Sequence, residues 1–120
     1  MSKLNRLVAT KVFGWTVNRD FSPPRWNVPL AQTEYYHDYD RQTSNHSNVP
    51  NFQGNIFDAM QVFDRLRRGK IHKDTVLGEA AYMVDTPTHE AHGENLCQVI
   101  CILALRQFGV PETEIQEALR

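Results

Sequence analysis

The chain has 120 residues, enough for one domain over 1–120 and too few for two independent cores. Hydrophobic residues make up 41% and charged residues 22%, ordinary globular values that exclude disorder over the whole length. The formal net charge of -1 excludes a global field drawing the chain to nucleic acid or to an anionic membrane, so such binding needs a local patch.

From Ser2 to Phe13, apolar residues Leu4, Leu7, Val8 and Val12 recur at helical spacing, with Ser2 as a cap and Gly14 as a left-handed stop. This start has no long apolar stretch of the signal-peptide kind, and the expectation is a protein that stays in the cytoplasm where it is made. Trp15-Thr16-Val17 reads as the start of a strand, and Phe21-Ser22-Pro23-Pro24 breaks any regular element.

A long aromatic and polar connection runs over about 18–52. Trp26, Tyr35, Tyr36 and Tyr39 are interleaved there with Arg25, Arg41 and several amides. A short strand is predicted around Gln32–Tyr36, and Thr43–Pro50 reads as turn and loop. Rings that stack on a base beside guanidinium groups that hold phosphate suit nucleotide binding, and the same residue types dominate protein interfaces. Arg25, Trp26, Tyr35, Tyr36, Tyr39 and Arg41 are therefore the candidate ligand or partner site, against the plainer reading that some of these rings cover the sheet.

Asn55–Arg68 predicts an amphipathic helix with Ile56, Ala59, Met60, Phe63 and Leu66 on one face and Val62 at its margin, capped by Asn55 and stopped by Gly69. Arg65, Arg67, Arg68 and Lys70, followed by His72 and Lys73, form a basic cluster. It complements the helix dipole and is a possible secondary anionic site. Thr75–Val84 alternates with period two and predicts one strand, with Gly78 as a bulge and Asp85-Thr86-Pro87 as its end. Glu94–Phe108, apolar nearly all round, predicts the buried central helix, closed by Gly109. Its longest apolar run, Leu96–Leu105, is about half the roughly 20 residues a membrane span needs. Glu112–Leu119 predicts a short last helix with Thr113 and Gln116 spaced as a capping box. The expected fold is α+β, a small sheet packed between helices.

The segments 7–15 (Leu-Val-Ala-Thr-Lys-Val-Phe-Gly-Trp), Pro50-Asn51-Phe52 with Ile56–Leu66, and the apolar run 96–105 with Phe108-Gly109-Val110 together resemble the phage ABA sandwich domain family. The chain departs from that pattern at Gln53-Gly54-Asn55, where a short Ser/Thr-Asp cap is usual, and in an elaborated stretch from Pro29 to Val49. The resemblance implies an α-β-α sandwich and a small accessory protein of a bacteriophage or prophage, working in the host cytoplasm. It implies no catalytic residues.

Catalytic motifs are sparse. His89-Glu90-Ala91-His92 spaces its imidazoles three apart, unlike a zinc-protease motif, and reads as a polar loop; its alternative is a metal-dependent hydrolase. His37-Asp38-Tyr39-Asp40 reads as a polar turn, because a strand puts His37 and Asp38 on opposite faces. Cys97 and Cys101 sit in apolar context and read as buried thiols rather than nucleophiles or a disulfide. Six scattered glycines make no phosphate loop. The expectation is a non-enzyme without metal or cofactor, and the family resemblance implies an anti-defence role, binding and sequestering a host nucleotide signal or blocking a host defence protein. A structural protein-interaction module is the other alternative. Homo-oligomers are expected, with the aromatic segment at the interface, because so small a chain has difficulty burying all its rings.

Overall fold

The computed structural model describes residues 3–20, 24–29, 32, 45–46, 48–76 and 79–120. The elements are α1 (Lys3–Lys11), β1 (Thr16–Asn18), β2 (Arg25–Asn27), β3 (Asn45–His46), α2 (Ile56–Phe63), β4 (Lys70–Val76), β5 (Glu79–Asp85), β6 (Glu90–Gly93), α3 (Leu96–Gln107) and α4 (Glu112–Ala118). The strands form two antiparallel sheets, β1-β2-β3 and β4-β5-β6, so the fold is α+β as the sequence predicts.

The centre is α3. Its Ile100, Cys101, Leu103, Ala104 and Leu105 are fully buried, β5 and β6 pack against it, and α1 and α2 pack elsewhere on its surface. Each large aliphatic side chain buried this way contributes about 1.5–3 kcal/mol, which is why a helix apolar all round must lie at the core. Asn95 caps it by accepting from the Gln98 amide at 3.2 Å, and Gly109, predicted to close it, does so in a left-handed conformation at φ +82°. Among the described residues no helix is long and apolar enough to cross a membrane.

The first helix and its glycine stop follow the sequence closely, with Gly14 at φ +75° and the Trp15 amide returning to the Ala9 carbonyl at 2.9 Å. The buried Asn5 side chain then ties α1 to the segment before α2, donating to Asn51 Oδ1 at 3.1 Å and accepting from the Gln53 amide at 2.9 Å.

Five local readings change. The alternating run 75–84 is half of a hairpin: β4 and β5 pair from Lys70↔Asp85 to Val76↔Glu79, because the alternation belongs to two strands rather than one. Gly78 lies outside the described residues. The polar segment after Pro87 supplies β6, with Ala91 buried against Val84 in register, a signal too short for periodicity to reveal. Within the stretch read as loop, Asn45–His46 pairs with Trp26 and Asn27 of β2.

The fourth is α2, which ends at Phe63 with Asp64 as its C-cap, five residues before Arg68. Tighter turns follow, the Arg65 amide reaching the Val62 carbonyl and Leu66 reaching Phe63, both at 3.0 Å. The buried face is Ala59, Val62 and Leu66, and Ile56 at the first turn is 43% exposed. The cap is as expected: Asn55 accepts from the Phe57 and Asp58 amides, worth about 1 kcal/mol. The last helix has Pro111 at its N-cap with no side-chain hydrogen bond, so Thr113 and Gln116 do not make a capping box; Gln116 instead donates to Glu112 at 3.0 Å.

Candidate functional site

Two members of the aromatic segment are described. Arg25 and Trp26 lie on β2, where Trp26 pairs with Val17 on one side and His46 on the other. Its ring is only 8% exposed and belongs to the core, so it is packing rather than a surface platform for a base; Arg25 is half-buried beside it. The alternation of a strand explains this, since one face of β2 must meet the core. Tyr35, Tyr36, Tyr39 and Arg41, with His37, Asp38 and Asp40, lie outside the described residues. Gln32 is buried, its carboxamide accepting from Trp15 Nε1 at 2.8 Å and donating to the Phe13 carbonyl at 2.7 Å.

The basic cluster is displayed on the turn between α2 and β4, not on the last turn of a helix as predicted. Arg65 is engaged: its guanidinium lies 4.9 Å above the Phe13 ring, which stacks on Phe52 with centroids 5.2 Å apart. Such a contact holds the side chain flat against the core. Arg67 and Arg68 are exposed and form no ion pair among the described residues. Lys70 is exposed at the start of β4, directly across from Asp85, whose carboxylate is also 3.4 Å from His72 Nε2. Lys70, like Arg67 and Arg68, forms no ion pair among the described residues, but it has a carboxylate in register with it and they do not.

Arg68 stands at φ +55°, a left-handed conformation that costs an ordinary side chain about 1–2 kcal/mol. Glycine follows at 69 rather than relieving that position. Its own need is space, because a Cβ there would lie 2.9 Å from Phe63 Cε2. The glycine that the sequence offers as a helix stop is spent on close packing, and an arginine carries the strained turn.

The histidine segment gives no joint site. His89 Nδ1 lies 3.1 Å from Gln107 Oε1 and 2.9 Å from Thr88 Oγ1, while Thr86 and Thr88 donate to the same Gln107 oxygen at 2.6 and 3.0 Å. His92 instead pairs with Glu90 at 3.8 Å. Residues 85–90 line an open cleft of about 320 Å³, but the imidazoles face different neighbours, and no group of three His, Cys, Asp or Glu side chains among the described residues is placed to hold a metal. Gln107 was invisible to sequence reasoning, its contacts lying 18 to 21 residues away. The cysteines are free thiols; burial pushes both up in pKa, and Cys101 far enough that it is no nucleophile.

Sequence reasoning also missed Phe57. Adjacent to Ile56 on the first turn of α2, it is 80% exposed.

The fold has a counterpart among solved structures. A phage protein from Bacillus cereus ATCC 14579, seen in a crystal structure, superposes with a TM-score of 0.53 over 88% of this chain and 89% of that one, at 22% sequence identity. No curated protein matches the chain significantly. The family model for the phage ABA sandwich domain matches residues 6–105, a span from α1 through most of α3, and the chain therefore belongs to the phage ABA sandwich domain family.

Proposed function

We propose that this phage accessory protein acts without catalysis, in the cytoplasm of the bacterial host, by binding a phosphate-bearing ligand of the nucleotide-signal type and withholding it from a host defence system. The observation that carries the reading is Arg68, an exposed cation kept in a left-handed backbone conformation next to exposed Arg67. Strain retained at a surface side chain points to a use for that side chain, and guanidinium groups match phosphate bidentately. Family membership supports the phage setting. Tyr35, Tyr36, Tyr39 and Arg41 remain proposed contributors through stacking and charge, whereas Trp26 contributes by packing.

A thermal-shift and mass-spectrometry screen against cyclic and linear nucleotides tests this. A ligand recovered intact supports sequestration; a ligand recovered converted identifies an enzyme. The second reading, blockade of a defence protein, is favoured by Phe57, since an exposed aromatic ring is a common anchor of protein interfaces. Loss of a captured host protein on Phe57→Ala, with nucleotide binding absent, decides for that reading.

A further inference from the structure

Helices α1 and α4 lie side by side and leave an open groove of about 280 Å³ between them. Its floor is Leu7 and Ala118, both half-buried, and Thr10. The Thr10 hydroxyl is turned back onto its own helix, donating to the Arg6 and Leu7 carbonyls at 3.1 and 3.0 Å, so the groove surface is mostly carbon. The two walls differ in sign: α1 contributes Lys3 and Arg6, and α4 contributes Glu114 and Glu117. Lys3 and Glu117 meet across one end at 3.7 Å. Arg6 and Glu114 are both exposed and form no ion pair among the described residues.

We propose that this groove is the interface of a two-fold dimer, occupied by a second copy of the chain. The argument is charge complementarity under symmetry. A two-fold axis running along the groove places the basic α1 of one copy over the acidic α4 of the other, and the same operation repeats the match in reverse. Every wall then faces its opposite. Arg6 meets Glu114 of the second copy twice per dimer, while Leu7, Thr10 and Ala118 of both copies cover one another. A partner of a single charge leaves one wall repelled, and an uncharged apolar partner strips water from Arg6 and Glu114 without compensation. The groove is lined by α1 and α4 alone and includes none of Arg65, Arg67, Arg68 and Lys70.

Sedimentation equilibrium on the full chain tests the proposal. The native protein should reach twice the chain mass of 13.9 kDa at tens of micromolar. Arg6→Glu alone and Glu114→Arg alone each set like charges face to face, and each should weaken the dimer about tenfold or more. The double variant restores both pairs and should dimerise as the native chain does. An equal mixture of the two single variants is the sharper measurement, because a mixed dimer has Glu opposite Arg at both contacts and should form where neither variant pairs with itself. Both positions are exposed, so the far-ultraviolet circular dichroism spectra should be unchanged, while the melting temperature of each single variant loses the concentration dependence that a dimer gives the native chain. A native chain that stays monomeric through the micromolar range overturns the proposal, as does a dimer indifferent to both single reversals.

Discussion

The Trp15 indole donates to Gln32 Oε1 at 2.8 Å, and the Gln32 amide group donates in turn to the Phe13 carbonyl at 2.7 Å, so one buried side chain ties the end of α1 to the connection that follows β2. Gln32→Leu keeps the volume and removes both partners. Each buried hydrogen bond contributes about 0.5–1.5 kcal/mol, and two are lost here. The expected outcome is a lower urea midpoint with an unchanged slope, read by circular dichroism.

Trp26 is expected to behave as a core residue. Trp26→Ala should cost about 3–5 kcal/mol, a large part of a small domain's stability. A melting curve close to that of the native protein contradicts its placement.

Arg68 offers a test of opposite sign. Arg68→Gly releases about 1–2 kcal/mol of left-handed strain. Glycine's greater freedom in the unfolded chain offsets about 0.4–1 kcal/mol of that. The variant should therefore be as stable as the native protein or slightly more so, while binding anions less well. Gly69→Ala, one residue on, should be destabilising instead, since its methyl meets the Phe63 ring.

Glu112 supplies the acid-sensitive contact. Arg106 donates to both its carboxylate oxygens, at 3.0 and 2.7 Å, and this, with the bond from Gln116, lowers the Glu112 pKa from its ordinary value near 4.5 to about 2. A carboxylate whose pKa is depressed by folding contributes stability that is present above about 4.5 and lost as pH falls towards 2. Glu112→Gln should flatten that part of the stability profile by lowering the stability at neutral pH towards its acid value, a small change because the pair is largely exposed and screened. An unchanged acid slope contradicts the assignment.

The parts of the fold legible in the sequence are those whose signals are local. Gly14, Asn55 and Gly109 bound their helices through backbone conformation or a side chain two or three residues away, and α3 announces itself by being apolar all round. What was not legible depends on contacts distant in sequence. Ala91 becomes a strand residue only by pairing with Val84, and Gly69 reads as a stop until Phe63 is seen against it. Trp26 shows the same limit at the candidate site, because composition cannot say which face of a strand meets the core. The basic cluster was visible, yet its division into an Arg65 held on the Phe13 ring, a Lys70 in register with Asp85 and an exposed Arg67 and Arg68 required the packing of Phe13 and the β4–β5 pairing.

The account turns on whether Arg67 and Arg68 hold a phosphate-bearing ligand that leaves unchanged. Calorimetric titration of the native protein and of the Arg67→Ala, Arg68→Ala double variant with cyclic and linear nucleotides, followed by mass spectrometry of the released ligand, measures this directly. The predicted result is stoichiometric binding of an intact nucleotide, weakened about tenfold or more in the double variant, the scale of a lost charged hydrogen bond. Binding that the double variant leaves untouched, a nucleotide returned chemically altered, or no nucleotide bound at all contradicts it.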